Sequence, residues 1–387
     1  MEWLTQKFEL SRGGGGYNVR PMEGLRGFAV FLVFLVHFVT LLKPWIVENS
    51  ALLTLTSALH NIGNSGVDLF FVLSGYLIYG TLISRPQRFT SFISKRLKRI
   101  YPAFLVVFVA YIALSFAFPA ENKIPIHAFD GIIYLVQNVL LLPGLFPIEP
   151  LITVAWSLSY EMFYYLTIPL LITLFRMRDR SIIWRVSFFS ILAAITAIYC
   201  ALYGGHVRLL MFVSGILLYE ALNSRSIPTP HSILGLTALV FGVLANLLPL
   251  AGSIGFTLKI SILFVAFFML CLTCFRDPAG WLPSAFSWTP MRWLGNMSYS
   301  YYLLHGLALK AGFLALAVAL PIANHGFLFS CALLPAMFGL TLIPTAVLFL
   351  AVERPFSLAP HRAPTNSSGL DQDYATVRVD VQRTAHE

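Results

Sequence analysis

The first long apolar segment, 24–43, carries two ionisable residues whose spacing suggests joint chemistry. His37 lies about 9 Å from the outer end of that segment if it is helical. Arg26 precedes it by eleven positions, which on a helix returns to within roughly 20° of the same face and about 16 Å lower. Ionisable groups inside a bilayer are costly, so this stripe predicts a functional site. The alternative is that His37 only makes a packing hydrogen bond.

Two carboxylates lie near the outer ends of their apolar segments, as His37 does. Asp68 begins one segment, and Glu161 lies about 10 Å inside segment 154–175, at a depth comparable to His37. A carboxylate beside an imidazole fixes its tautomer. We therefore predict His37 as a general base and Glu161 or Asp68 as the group that orients it. An internal ion pair is the alternative for Glu161.

Further polar and basic residues suggest where ligands bind. Trp156 and Tyr160 flank Glu161, and Arg208 begins a later segment, so these three are predicted to bind substrate, with an interfacial anchor as the alternative for Arg208. Arg96 and Arg99 belong to a basic cluster before segment 101–118. Arginine suits bidentate phosphate contacts. A topology signal or lipid binding is the alternative for that cluster.

Composition places the chain in a membrane. Of its 387 residues 58% are hydrophobic and 11% are charged, whereas a soluble domain carries about 25% charged residues. Crossing a hydrocarbon core takes roughly 20 helical residues. The apolar segments lack the two-residue alternation of a membrane barrel, so we predict an all-α polytopic bundle. Its apolar segments are 24–43, 66–84, 101–118, 129–145, 154–175, 182–202, 207–222, 232–250, 255–275, 294–320 and 327–352.

The distribution of Lys and Arg sets the topology. Loops 85–99 and 176–185 are strongly basic and should both be cytoplasmic, so an even number of crossings must separate them. Segment 129–145 is short and contains Pro143, and we predict that it is re-entrant or buried in the bundle. About ten spans remain, with both termini cytoplasmic and the protein in the inner membrane. The net charge of +9 is then a topology signal, so no nucleic-acid partner is predicted.

The chain divides into three parts. Residues 1–19 are predicted to be a flexible cytoplasmic segment, 20–356 the transmembrane domain, and 357–387 a disordered cytoplasmic tail rich in Ser, Thr, Asp and Arg. The four cysteines, Cys200, Cys271, Cys274 and Cys331, all lie in apolar segments and are predicted to be buried thiols. We predict no disulfide and no metal site.

Six motifs in order resemble the acyltransferase 3 family of membrane acyltransferases, from Arg20 to about Phe356. Any one of them alone would be weak, and the ordered set is specific. They are E-G-L-R-G at 23–27 with R-x10-H ending at His37, G-V-D-L-F-F-V-L-S-G-Y at 66–76, R-x-x-R-I-x-P at 96–102, W-S-L-S-Y-E at 156–161, L-G-N-x-S-Y at 294–299 with His305, and E-R-P at 353–355. Glu23 stands where many relatives have Asp, which keeps the charge.

The resemblance implies transfer of an acyl group, commonly acetyl from acetyl-CoA, to a hydroxyl of a surface or lipid-linked carbohydrate. The residues implicated in the family map onto Arg26, His37, Arg96 and Arg99. The donor phosphates would bind Arg96, Arg99 and Arg26, and the pantetheine arm would reach upward to His37 through one hollow. The bilayer and a glycan acceptor are the other expected partners.

Two alternatives stay open at this point. A transporter or flippase of a lipid-linked sugar would also place polar groups inside a bundle, although no internal repeat is evident. A non-catalytic membrane scaffold or sensor would tolerate substitution of His37, Glu161 or Arg99. His305 falls in the middle of segment 294–320, where we expect a packing helix with hydrogen bonds inside the bundle, and Lys310 is expected to snorkel.

Overall fold

The computed structural model describes residues 2–10, 19–46, 51–224, 226–320, 322 and 325–358. Within these ranges the regular structure is helical, and a wider helical turn, Phe349–Leu358, follows the last α-helix. The predicted all-α class is confirmed. The helices are α1 Glu2–Phe8, α2 Val19–Leu42, α3 Ala51–Gly63, α4 Ser65–Ser84, α5 Phe89–Ala117, α6 Ala128–Val139, α7 Trp156–Leu174, α8 Ile182–Tyr203, α9 Leu210–Asn223, α10 Ser232–Leu244, α11 Gly252–Arg276, α12 Trp281–Phe286, α13 Thr289–Asn296, α14 Ser298–Ala319 and α15 Phe327–Leu348.

Seven helical stretches among the described residues are long and apolar enough to cross a membrane, so the chain is a multi-pass membrane protein. The other three predicted spans correspond to α7, α9 and α10, of which α9 and α10 are shorter and α7 contains several polar residues. The seven stretches are Arg20–Trp45, Ala51–Ser84, Phe89–Ala117, Ile182–Tyr203, Gly252–Arg276, Ser298–Ala319 and Phe327–Leu358.

The two basic loops lie at one end of the bundle. The guanidinium of Arg178, between α7 and α8, donates to the carbonyl oxygen of Leu82 at the end of α4, at 3.2 and 2.7 Å. Arg185, at the start of α8, forms a bidentate pair with the buried Glu220 of α9 at 2.6 and 2.8 Å. The end of α4, just before the first basic loop, and the second basic loop therefore lie side by side.

Segment 129–145 forms the short helix α6 and an irregular return. Gly131, Tyr134 and Asn138 are buried, and the Asn138 amide oxygen accepts from the backbone N–H of Leu151 at 2.8 Å. The opposite face is apolar and exposed. The helix is therefore not buried within the bundle on all sides. The exposed residues are Phe129, Ile132, Ile133, Val136 and Leu140.

Helix α2 packs backbone to backbone against α12 and α13. A Cβ atom on Gly24 would overlap the carbonyl of Phe286, and one on Gly27 would overlap the carbonyl of Met291. Only glycine permits this approach. The contact fixes the rotation of α2 about its axis, and thereby the directions of Arg26 and His37.

Residues 2–10, part of the segment 1–19 that was predicted to be flexible, pack on the bundle. Helix α1 ends at Phe8, which is buried and stacks on Phe349 with ring centroids 5.8 Å apart. The side chain of Asn296 donates to the Phe8 carbonyl at 3.0 Å. One aromatic anchor and one amide therefore hold residues 2–10 on the bundle. Residues 11–18 and the predicted tail from 359 onward lie outside the described residues.

The cysteines follow the prediction in part. Cys200, Cys271 and Cys274 are free buried thiols, whereas the free thiol of Cys331, on α15, is exposed. The expectation of burial was wrong for Cys331 because that position of α15 lies on its outward face.

Candidate active site

One cavity, which we call the arginine cavity, has a volume of about 120 Å³ and lies between α2, α4, α5, α7 and α14. It brings together Arg26, Arg96, Arg99 and Glu161, four of the predicted site residues. Its lining consists of Arg26, Val67, Phe70, Phe71, Ser74, Leu77, Ile78, Arg96, Arg99, Ser157, Leu158, Glu161, Tyr165, Ser298, Tyr299 and Tyr302.

Arg96 presents an uncompensated positive charge to this cavity. It lies one helical turn before Arg99 on α5, so both guanidinium groups emerge on one face. The Arg96 guanidinium lies over the rings of Phe92 and Tyr165, at 5.1 and 5.5 Å from their centroids. Within the described ranges it forms no ion pair with a carboxylate. Its donors are therefore available to an anionic ligand.

Arg99 is held in place by a carboxylate from the far end of the chain. Its Nη1 lies 2.8 Å from Oε1 of Glu353, which is fully buried. The backbone N–H and the hydroxyl of Ser300 donate to Oε2 of Glu353 at 3.0 and 2.6 Å. The sequence motif contained Glu353 but gave it no role. Since the partner is more than 250 positions away, spacing could not reveal the pair.

Glu161 belongs to the arginine cavity rather than to His37. Its Oε1 accepts hydrogen bonds from Tyr165 and, at 3.4 Å, from Ser74. Arg26 donates from Nε to the Ser298 hydroxyl at 3.2 Å. Three guanidinium groups thus face two carboxylates here, counting Glu353, and the balance is positive.

The second cavity, the histidine cavity, has a volume of about 390 Å³ and is lined mainly by apolar side chains. His37 lies in its wall, and charged residues surround its other end. Lys310, which was expected to snorkel, forms an ion pair with Glu121 at 2.5 Å. Lys123 forms a second ion pair with Glu149 at 3.0 Å. The lining is His37, Thr40, Leu41, Tyr111, Leu114, Ser115, Phe118, Glu121, Lys123, Leu151, Thr153, Val154, Leu303, Gly306, Leu307, Lys310, Ala311 and Leu314.

The two cavities follow one another along the same helices. Each of α2, α5 and α14 lines the arginine cavity with earlier residues and the histidine cavity with later ones. Between them, the hydroxyl groups of Ser157 and Tyr302 are 2.7 Å apart, and Tyr302 donates to the Val154 carbonyl at 3.0 Å. The single hollow expected from Arg26 to His37 is therefore divided into two adjoining spaces by this polar contact.

The carboxylate expected to orient His37 is not beside it. The nearest ring to His37 is His305, with centroids 4.8 Å apart. Among the described residues, neither Glu161 nor Asp68 is hydrogen-bonded to His37. Glu161 faces the arginines, and Asp68 pairs with Arg208 through Oδ2 and Nη1 at 3.1 Å. The predicted orienting role of both carboxylates thus has no support in the geometry.

The residues predicted to bind substrate form a separate cluster with Asp68. The Arg208 guanidinium lies 5.9 Å from the Trp156 ring centroid, and the Tyr160 hydroxyl is 2.7 Å from Nδ1 of His206. In the described part of the chain, Asp68, Trp156, Tyr160 and Arg208 lie outside both cavity linings. Substrate binding by Trp156, Tyr160 and Arg208 stays a prediction. The contact that the structure shows for Arg208 is its ion pair with Asp68.

These features define a polytopic membrane protein whose bundle encloses a basic cavity next to a histidine-containing one. The acyltransferase domain model matches residues 21–349, and the chain therefore belongs to the acyltransferase 3 family. The resemblance derived from the six motifs is confirmed. No solved structure matches the chain.

Three relatives illustrate the similarity. O-acetyltransferase OatA of Staphylococcus aureus (strain NCTC 8325 / PS 47) is 30% identical over 324 residues, which are 73% of this chain and 49% of OatA. Acyltransferase MdmB of Streptomyces mycarofaciens is 27% identical, covering 86% of this chain and 90% of MdmB. YrhL of Bacillus subtilis (strain 168), provisionally named a peptidoglycan O-acetyltransferase, is 25% identical, covering 73% of this chain and 47% of YrhL. The chain thus spans about half the length of OatA and YrhL.

Proposed function

We propose that this protein is a membrane O-acyltransferase that moves an acyl group, acetyl in the first instance, from acyl-CoA to a hydroxyl of a surface or lipid-linked carbohydrate. The observation that carries the proposal is the arrangement of the two cavities. A basic space suited to an anionic donor adjoins a larger space that contains an imidazole and opens toward charged residues.

The proposed donor site is the arginine cavity. Arg96 and Arg99 would bind the phosphates of acetyl-CoA, with Arg26 deeper in the same space. Because the cavity volume is only about 120 Å³, the proposal places only the narrow pantetheine arm inside it. The nucleotide would stay at the mouth, and the pantetheine arm would pass inward toward Ser157 and Tyr302.

In the proposed topology the arginine end of the bundle faces the cytoplasm, where acyl-CoA is made. Both termini are then cytoplasmic, the membrane is the inner one, and α7, α9 and α10 complete ten spans. The basic loops support this orientation by the positive-inside rule. Residues 20–356 form the transferase domain in this proposal.

The proposed reaction is a direct transfer. His37 takes the proton from the acceptor hydroxyl, and the oxygen attacks the thioester carbonyl to form a tetrahedral intermediate. The carbon–sulfur bond then breaks, and the thiolate of CoA receives the proton from the His37 imidazolium. The products are the O-acetyl ester and free CoA. Ser157 and Tyr302, which lie between the cavities, would donate to the oxyanion by exchanging their hydrogen bonds to the Val154 carbonyl for it.

The proposed acceptor enters the histidine cavity from its charged end. The names of OatA and YrhL describe transfer of acetyl groups to oxygen, and the name of YrhL specifies peptidoglycan. A glycan hydroxyl is the matching acceptor for this chain. Thr40, Thr153 and Ser115 line the same cavity as His37 and supply hydroxyl groups.

Release of free CoA tests the proposal directly. The full chain in lipid nanodiscs is incubated with acetyl-CoA labelled in the acetyl group, with and without isolated cell-wall or membrane glycan, and thiol release is measured with mass spectrometry of the glycan. We expect glycan-dependent thiol release and label on the glycan. Sugar translocation in liposomes without thiol release would instead assign the chain to the flippase alternative.

A further inference from the structure

We propose that His305 is a positioning residue for His37: it accepts the hydrogen of one His37 ring nitrogen and so directs the other, unprotonated nitrogen toward the histidine cavity. The inference rests on the proposed role of His37 as the base. It gives to a second imidazole the role that the sequence suggested for Asp68 or Glu161.

The backbone fixes which nitrogen of His305 carries the proton. Nδ1 lies 2.9 Å from the carbonyl oxygen of Tyr301 and 2.9 Å from that of Tyr302. Carbonyl oxygens only accept hydrogen bonds, so Nδ1 must be the protonated nitrogen. Nε2 of the neutral ring is then an acceptor.

That acceptor lacks a partner among the residues that the structure describes. Nε2 of His305 forms no hydrogen bond with any of them, and the residue is fully buried on α14. A buried acceptor left unpaired is costly, so it indicates a partner that completes it during function. His37 is the adjacent ring, with centroids 4.8 Å apart and planes inclined by 69°.

The surroundings hold the His305 ring in one orientation. The Tyr301 ring stacks on it with planes 9° apart and centroids at 5.4 Å. The Tyr301 hydroxyl is in turn 2.8 Å from the hydroxyl of Thr341 on α15. The adjacent ring of His37 lines the histidine cavity and His305 does not, so the His305 ring lies behind the cavity wall. A fixed ring is what a positioning residue requires.

A neutral acceptor suits this location better than a carboxylate. His305 can fix the His37 tautomer without bringing a negative charge into the apolar wall of the cavity, where an unpaired charge is expensive. The proton that His37 takes from the acceptor hydroxyl stays on the nitrogen facing the cavity, from which it reaches the departing thiolate. His305 keeps its own proton on Nδ1 throughout.

The test compares two substitutions of nearly equal size. His305→Gln keeps an acceptor oxygen close to the place of Nε2, whereas His305→Leu removes it. In nanodiscs with labelled acetyl-CoA we expect kcat for transfer to fall about 10- to 100-fold in His305→Leu. His305→Gln should recover a large part of the rate, and the KM for acetyl-CoA should stay unchanged in both.

His325 provides the matched control. Its Nε2 is also buried and has no hydrogen-bond partner within the described ranges, but its ring stacks on Trp45 and Phe329 rather than on His37. His325→Leu should leave kcat unchanged. If kcat fell equally in His305→Gln and His305→Leu, in variants whose Tm matches the wild type, His305 would have only a packing role. Wild-type kcat in both variants would lead to the same conclusion. Full activity in His37→Ala would instead overturn the proposed function of His37 as the base, on which the role of His305 depends.

Discussion

The two cavities differ in how their polar groups are paired. In the arginine cavity three of the four charged lining residues have a fixed partner: Arg99 has Glu353, Glu161 has Tyr165, and Arg26 has Ser298. Arg96 forms no ion pair with a described carboxylate. The histidine cavity is about three times larger, mainly apolar, and has its ion pairs at one end. Pre-arranged charges suit the anionic donor of the proposed function, whereas the larger and mainly apolar space suits its acceptor.

The arrangement fits the proposed function, in which donor and acceptor enter the bundle from opposite sides. Helices α2, α5 and α14 run past both cavities, and the contact of Ser157 with Tyr302 and Val154 lies between them. The reacting groups can then meet without an open path across the membrane. Substitutions in the two cavities should therefore affect different kinetic constants.

Loss of the imidazole should have the largest effect. His37→Ala is expected to lower kcat for acetyl transfer about 10²–10⁴-fold, because a general base contributes that much, while donor binding persists. The measurement is thiol release with labelled acetyl-CoA in nanodiscs. The exposed His127 provides the control, since His127→Ala should leave the rate unchanged. A wild-type rate in His37→Ala would remove the base from the mechanism.

The Asp68–Arg208 pair should affect stability more than donor binding. Asp68→Asn leaves Arg208 without its carboxylate, and breaking such a buried pair costs about 3–5 kcal/mol of unfolding free energy. The double variant Asp68→Asn with Arg208→Gln should regain part of that loss. Thermal unfolding in detergent measures both. If Asp68→Asn had the Tm of the wild type but no transfer activity, the catalytic role predicted for Asp68 from the sequence would be supported instead.

Substitution of Arg96 should weaken donor binding without affecting the transfer step. Arg96→Gln removes charge-assisted hydrogen bonds, and we expect the KM for acetyl-CoA to rise about 10- to 100-fold with kcat nearly unchanged. The exposed Arg88, just before α5, provides the control as Arg88→Gln, with an unchanged KM. An unchanged KM in Arg96→Gln would leave the arginine cluster as a topology signal.

The exposed pair at the end of the histidine cavity should have the smallest effect. Glu121 lies outside the spans, and the hydrogen bond and charge of Lys310 lower its pKa. The pair is therefore ionised from neutral pH down through the ordinary range of a carboxyl group, and it separates only in more acidic solution. Glu121→Gln should change transfer at neutral pH by less than about threefold, since exposed pairs contribute little. A larger loss in initial-rate assays would make Glu121 an acceptor-binding residue.

The helices and the family followed from the sequence because both depend on local patterns. Apolar segments of spanning length, basic loops and six short motifs are all read along the chain. The partners of buried charges did not follow. Glu161 was expected beside His37 because the two have similar depths, but depth along a helix does not give its rotation. The rotation of α7 turns Glu161 to Tyr165 and Ser74 instead.

The sequence by itself determined that this chain crosses the membrane as a helical bundle, that it belongs with the acyltransferases, and that Arg26, His37, Arg96 and Arg99 deserve testing. The tertiary structure decided that the arginines and the histidine occupy two cavities, and that His305 is the neighbour of His37. Hydropathy and charge act on each segment separately, so they can be read from the chain. Contacts such as that of Arg99 with Glu353 depend on how distant helices rotate and pack against one another.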